Sequence, residues 1–228
     1  MPKARSWPSC DHAGVTYVRM LLFSRVLTVT GSPRRALPWA LGVTNYVNDH
    51  SDLEVNLWSA TYGYPLGTLA WTAVVESQSA LAAATAGLLA DDGYYDLIEQ
   101  AADLVDQPGE DLLRQLVHGE PGEPPPVGAV ATVTTATALV DRMADAVGWG
   151  VEIAQHVTSV TGTPVAVFTD VFGQMGGMTW IGVQPDLAAA EVANAKLMAD
   201  GDYLGRLAAT KDLFIPGSGH AGQTIRLA

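Results

Sequence analysis

This sequence is poor in features that define several large classes of protein. Its 228 residues include a single cysteine, Cys10, so neither an internal disulfide framework nor a cysteine-rich zinc site can form. Basic residues number 12 against 24 acidic residues, and the formal net charge of −12 argues against a dedicated nucleic-acid binder. No apolar run reaches the ~20 residues that cross a bilayer, which argues against membrane insertion. We expect a cytoplasmic protein.

The composition is that of a folded, globular chain. Hydrophobic residues make up 48% of the sequence and charged residues 16%, which provides for a sizeable core. The N-terminal part differs in charge: residues 1–35 contain six basic side chains and one acidic side chain, whereas residues 36–228 contain six basic and 23 acidic. Because the start of the chain also lacks periodicity, we predict a flexible basic leader over residues 1–23.

An internal repeat organises the rest of the chain. With an offset of 110, segments 39–67 and 149–177 align without a gap. The identical pairs are Trp39/Trp149, Val47/Val157, Val55/Val165, Gly63/Gly173 and Gly67/Gly177. With small gaps, segment 26–30 also matches 130–134, and Trp71 matches Trp180 at an offset of 109. A repeat of this length indicates an ancient tandem duplication.

Each repeat has the pattern of strand, helix, strand, strand, helix and strand. The glycine-rich segments 63–67 and 173–177 separate pairs of alternating strands and therefore predict hairpin turns. The proline-rich segment 120–127 is the expected linker. We therefore predict an α+β fold of two tandem ferredoxin-like βαββαβ units, residues 24–119 and 128–228. Their antiparallel sheets would pack as a pseudo-symmetric α+β barrel.

This arrangement resembles the dimeric α+β-barrel superfamily, in which two such sheets face each other and a tandem chain can supply both. The resemblance covers residues 24–228 and is one of topology, without a diagnostic motif. It implies a wide range of functions, because the superfamily includes small monooxygenases, chlorite-dismutase-like haem proteins and proteins with no assigned activity. The fold alone therefore does not fix a reaction.

Aromatic residues provide the first argument for a binding site. Trp58 and Tyr62 share one face of their strand by alternation, and Phe168 and Phe172 hold the matching positions in the second repeat. The opposite face suits packing against helices. We therefore expect all four rings to point into the space between the sheets and, together with Arg226, to bind a small apolar ligand.

Three polar residues are candidates for chemistry. Asp170 lies on the Phe168–Phe172 face, where the first repeat has Ala60, and a lone carboxylate beside an apolar wall is a candidate general base. Arg114 and His118 are four residues apart on a predicted strand and would share a face, as a cation and a proton carrier. We expect Asp170 within reach of Arg114, His118 or Arg226. A rim position for Asp170 and a solvated strand end for His118 remain the alternatives.

The histidines do not predict a metal site or a cofactor. No pair of them has metal-ligand spacing on a helix. The resemblance alone raises haem, with His118, His156 and His220 as formal axial ligands. His156 aligns with Tyr46, which favours a packing role, and His220 lies in a glycine-rich loop. We predict no cofactor.

Three functions compete on this basis. The first is a non-catalytic protein whose barrel supports self-association or binds a small apolar ligand, favoured by the shortage of paired catalytic side chains. The alternative is a cofactor-independent, monooxygenase-like or related small-molecule enzyme that uses Asp170, Arg114 and His118. A second alternative is a subunit of a larger assembly that pairs sheet edges between copies.

Overall fold

The computed structural model describes residues 20–105, 107–120, 122–210 and 212–228, and the backbone of two short paired strands, Asp11–His12 and Val15–Thr16. Most of the predicted leader lies outside these residues. The strands of the main sheet are β1 (Leu21–Thr28), β2 (Val55–Tyr62), β3 (Thr68–Val75), β4 (Glu110–His118), β5 (Val130–Thr137), β6 (Val165–Phe172), β7 (Gly177–Gln184) and β8 (His220–Arg226). The helices are α1 (Pro33–His50), α2 (Gln78–Leu89), α3 (Asp92–Glu99), α4 (Met143–Thr161), α5 (Leu187–Ala199) and α6 (Gly201–Ala208).

The eight strands form one closed antiparallel barrel in the order β8-β2-β3-β1-β4-β6-β7-β5, with β5 pairing back to β8. The prediction of an α+β barrel is confirmed at this level. Two sheets packed face to face were expected, however, and the halves are instead hydrogen-bonded along two seams, β4–β6 and β8–β2. Two separate sheets would each leave two edge strands with unpaired backbone N–H and C=O groups. In the closed barrel these edge strands pair with each other along the two seams.

Both hairpins lie at one end of the barrel. Residues 63–67 connect β2 to β3, and residues 173–177 connect β6 to β7. The last residue of β5, Thr137, pairs with Gly177, and near the same end Thr135 pairs with His220 at the start of β8. On β8, Gln223 pairs in turn with Tyr62, the last residue of β2. We call this the hairpin end.

The outer face of the barrel packs against the helices. In the first half, buried Leu57 and Trp71 pack with residues of α1, and in the second half Val167 and Trp180 form the matching cluster. Trp39 meets Trp71 edge to face, with ring centroids 5.8 Å apart and planes at 78°. Trp149 meets Trp180 in the same way, at 5.9 Å and 77°. The tryptophans that match in sequence therefore make the same contact in both halves.

The alignment of the two halves needs correction at two places. Gly67 is equivalent to Gly176 and not to Gly177. Both residues have positive φ, and each lies against the backbone carbonyl oxygen of the residue after the first strand of its half, Val29 or Ala138. The strand pairing gives the second correction. β1 pairs with β3 in the same way as β5 pairs with β7, so Leu21–Thr28 as a whole is equivalent to Val130–Thr137, and the match of segment 26–30 with 130–134 is wrong. Short runs of Val and Thr resemble each other in any strand, and only pairing fixes their register.

The predicted boundaries shift accordingly. β1 begins at Leu21, so residues 21–23 belong to the barrel and not to a leader. Met20 is buried as well, and its carbonyl oxygen accepts from the backbone of Leu116 and the side chain of Gln115. Within the described ranges, none of the helices is both long and apolar enough to span a bilayer.

Candidate active site inside the barrel

Two of the four aromatic residues predicted to line the interior, Trp58 and Phe168, lie on the inner face of the barrel. Trp58 and Phe168 are buried there, on the face opposite Leu57 and Val167, and Nε1 of Trp58 donates to the hydroxyl of Thr72. Phe168 borders a small cavity of about 60 Å³ away from the hairpin end. The cavity is lined by Met20, Leu21, Leu22, Val74, Leu116, Glu120, Ala166 and Phe168. Ligand pockets are usually about 300–1,000 Å³, so a ligand here would have to move side chains.

Tyr62 and Phe172 do not point into the interior, and that prediction is wrong. A register shift in each seam separates Ala60 from Tyr62 and Asp170 from Phe172. Such a bulge moves the residues beyond it to the other face of the strand. Tyr62 is consequently 64% exposed and Phe172 59% exposed, at the hairpin end.

A largely buried ion pair lies on the inner face. Nε of Arg114 on β4 donates to a carboxylate oxygen of Asp170 on β6 at 3.2 Å, across the seam between the two halves. The two side chains are only 12% and 9% exposed. Nη1 of Arg114 also donates to the hydroxyl of buried Ser24 on β1. The structure gives Nη2 of Arg114 no partner among the described residues, so this guanidinium keeps donors for a ligand.

Asp170 is not the lone carboxylate that the sequence suggested. Its second oxygen accepts from the backbone N–H of Gln174 at 3.1 Å, within the hairpin 173–177. Gly173 and Gly177 leave the room for it, because a Cβ at either position would collide with this carboxylate. Asp170 thus holds both Arg114 and the hairpin, and it is a positioning group in this geometry.

The second seam is an internal comparison for the ion pair. There Thr224 on β8 pairs with Ala60 on β2, at the positions equivalent to Arg114 and Asp170. The bulge follows at the same place in both seams. The barrel therefore closes equally well with a small polar and a small apolar residue, and the ion pair is not a requirement of the fold.

Tyr64 is a residue that the sequence reasoning missed. Its ring lies on Gly222 of β8, where any Cβ would collide with it, and it contacts the ring of His220 with centroids 5.1 Å apart. Burial raises the pKa of Tyr64, while the positive charge of Arg114 partly offsets this. Tyr64 therefore covers the hairpin end near the ion pair. Its counterpart in the repeat is Gln174, and this difference is the signal that could have identified it.

Two other predicted site residues lie elsewhere. A second bulge on β4 pairs His118 with Val167, so His118 is on the outer face and does not share a face with Arg114. Arg226 lies on the inner face opposite Trp58, but at the other end of the barrel. Its guanidinium donates to the carbonyl oxygens of Ala228 and Pro125, and burial lowers its pKa. Neither residue reaches Asp170.

The three histidines do not fit an axial haem ligand inside the barrel. His118 faces outward, and His156 on α4 bonds to Asp200 at 3.0 Å between helices. His220 stands exposed at the rim, where its Nε2 donates to the carbonyl oxygen of Gly63. The cavity of about 60 Å³ is also far smaller than such a group. Within the residues that the structure describes, no three His, Cys, Asp or Glu side chains are grouped to hold a metal ion.

Sequence comparison gives this chain no relatives: no family model and no curated protein matches it. Structure comparison does. A candidate monooxygenase from Fusobacterium nucleatum superposes with a TM-score of 0.67 at 12% identity, covering 93% of this chain and 94% of that one. An anthrone oxidase-like protein superposes with a TM-score of 0.62 at 11% identity, covering 92% of each chain. A candidate chlorite dismutase reaches 0.52 at 9% identity, covering 91% and 95%.

These similarities correct one prediction and support another. The three solved structures named above carry the names of enzymes. They contradict the interpretation as a non-catalytic protein, and the enzyme alternative fits them better. At 9–12% identity the comparison concerns the shape of the chain. This chain has the α+β-barrel fold of the monooxygenase-like and chlorite dismutase-like proteins.

Proposed function

We propose that this chain is a monooxygenase-like enzyme for small apolar molecules and that it uses no bound cofactor. The observation that carries the proposal is the Arg114–Asp170 pair, buried inside the barrel at 3.2 Å in one seam and replaced by Thr224 and Ala60 in the other. The names of the structural neighbours supply the reaction class.

The energetics favour a role in binding over a role in stability. Removing two charges from water costs several kcal/mol per ion, and replacing a buried pair by apolar residues is often neutral or stabilising. The Thr224–Ala60 seam shows that this barrel closes without the pair. A group that the fold does not need, and that is costly to bury, is a candidate for the site.

The arrangement suits substrates that react through an oxyanion. Arg114 is held by Asp170 and Ser24, and its remaining N–H groups can bind the oxygen of an enolate or phenolate. Such an anion is electron-rich at carbon and can reduce O₂ itself. The anion forms when a CH₂ group conjugated with this oxygen gives one proton to water. Its carbon then bonds O₂, and the O–O bond breaks as the carbon loses its second hydrogen. The carbon keeps one oxygen atom as C=O, and the hydroxide that leaves combines with the released proton as water. The substrate supplies all four electrons.

Substrate access requires a movement of Tyr64. Its ring occupies the inner surface over Gly222, and the cavity of about 60 Å³ beside Phe168 is too small for a tricyclic molecule. Tyr64 lies on a turn and contacts His220 at the rim, so it can leave without unfolding a strand. Trp58 and Phe168 would then form the apolar wall.

The two halves derive, in this proposal, from duplication of one βαββαβ unit. Each half has its strands in the order second, third, first, fourth, which is the ferredoxin-like order. The equivalent tryptophan contacts and the equivalent bulges support this origin. With the first boundary moved to Leu21, residues 21–119 and 128–228, joined by 120–127, are our proposed division. Duplication explains how one seam could acquire charges while the other kept the closure of the barrel.

The test uses anthrone, because one structural neighbour is anthrone oxidase-like. Oxygen uptake and anthraquinone absorbance are followed with the full chain, before and after treatment with a chelator. We expect equimolar O₂ uptake and quinone formation, with kcat/KM reduced at least about tenfold in Arg114→Gln. The matched control is Thr224→Val, which changes the equivalent position of the other seam and leaves turnover intact. Turnover that survives in Arg114→Gln, or that Thr224→Val lowers equally, contradicts the proposed site.

A further inference from the structure

One half of the rim at the hairpin end, on the side of β5 and β8, is uncharged, although the protein is strongly acidic. Three loops form it: residues 63–67, 173–177 and 213–219, and none of them contains Asp, Glu, Lys or Arg. The third loop belongs to this end because the backbone N–H of Ile215 donates to the carbonyl oxygen of Thr137, the last residue of β5. The whole chain carries a net charge of −12, so three adjoining uncharged loops are a local exception.

The same loops expose large apolar side chains. Leu66 and Met175 sit near the tips of the two hairpins and are 98% and 78% exposed. Ile215 on the third loop is exposed as well. Behind the tips, where each hairpin leaves the barrel, Tyr62 and Phe172 place two exposed rings. All of these side chains lie at one end of the barrel, and exposed apolar groups that share one face of a protein mark an interaction site.

We infer that the hairpin end docks on the surface of an uncharged, zwitterionic lipid bilayer. At a membrane–water interface, aromatic rings occupy the level of the lipid headgroups and aliphatic side chains lie deeper. The aliphatic side chains at the hairpin tips and the aromatic rings behind them have this order. The charge distribution selects the kind of lipid. A protein of net charge −12 is repelled by an anionic surface, and these three loops offer no cation to overcome the repulsion.

Charged residues begin on the flanks of this surface. Exposed Glu110 and Asp111 start β4 beside hairpin 173–177, and Asp111 forms an ion pair with Arg25. Arg34 and Arg35 start α1, and Arg35 faces Asp103 at 3.6 Å. Exposed apolar side chains on the helices, by contrast, have charged neighbours. On α5, Val192 and Met198 lie close in sequence to Glu191 and Lys196. Val192 therefore gives a matched control, an exposed apolar residue outside the hairpin end.

The experiment is co-sedimentation of the full chain with phosphatidylcholine vesicles, and with vesicles that also contain phosphatidylserine. We expect binding to phosphatidylcholine that persists from about 0.1 to 1 M salt, because apolar contact is not screened. Leu66→Asp and Met175→Asp should each weaken binding about tenfold or more, because each replaces an apolar side chain that the bilayer would bury. Val192→Asp should bind as the wild type does. Thermal melts of each variant verify that the fold is intact.

Several outcomes overturn the inference. These are no binding of the wild type, equal losses in Val192→Asp and Leu66→Asp, or binding only to phosphatidylserine that disappears with salt. Sedimentation velocity provides the last arm: if Leu66→Asp dissociates a dimer and vesicles do not bind the wild type, the hairpin end is a self-association surface instead. Turnover of a soluble substrate without vesicles is measured separately, so failure here does not bear on the proposed enzyme.

Discussion

Converting one seam of the barrel into the other gives the sharpest test of the ion pair. The double variant Arg114→Thr with Asp170→Ala copies Thr224 and Ala60 into the equivalent positions. Arg114→Thr alone leaves a 9% exposed carboxylate without its cation and should cost about 3–5 kcal/mol of unfolding free energy. Asp170→Ala alone leaves the guanidinium unpaired and also removes the bond to Gln174, which should cost a similar amount.

The double variant should be more stable than either single one. Relief of the buried charges offsets the lost contacts, so we expect it within about 2 kcal/mol of the wild type. Urea unfolding of the four proteins measures the coupling, which should be at least about 2 kcal/mol. Anthrone turnover should be lost in the double variant although it folds. If the two single costs simply add, the pair is not a unit, and if turnover survives, the interior is not the active site.

Two further predictions concern stability. The pKa of Asp200 is lowered because its carboxylate accepts from the backbone of Tyr203 and from His156, so its contribution is complete above the unfolded pKa of about 3.9 and disappears as pH falls through the lower folded pKa. Urea titrations at decreasing pH should therefore show a shallower acid loss in Asp200→Asn than in the wild type, and equal slopes would refute this. Gly67→Ala and Gly176→Ala should each cost about 1–3 kcal/mol in thermal melts, because both residues have positive φ and lie against a carbonyl oxygen. Gly87→Ala in α2, where nothing lies within 4 Å of the new Cβ, should instead gain about 0.5–1 kcal/mol, and a loss there would contradict the argument.

Local pattern determined much of this fold. Alternation with two glycine-rich turns was enough to predict the pairs of strands on either side of segments 63–67 and 173–177. The pairs Trp39/Trp149 and Trp71/Trp180 identified equivalent core positions, because a residue that packs between helix and sheet must keep its size. Asp170 stood out because its counterpart was Ala60, and the structure places it 3.2 Å from Arg114. Its role in chemistry stays a prediction.

The tertiary structure alone decided which face each side chain occupies. A bulge depends on the partner strand and leaves no mark in alternation, so Tyr62, Phe172 and His118 were assigned to the wrong face. The same holds for contacts over long sequence distances: Arg114 and Asp170 are 56 residues apart and meet only because the two halves share a seam. Tyr64 reaches the interior only because β8 offers a glycine beneath it. Sequence periodicity is a local property, whereas strand pairing, bulges and barrel closure depend on the whole chain.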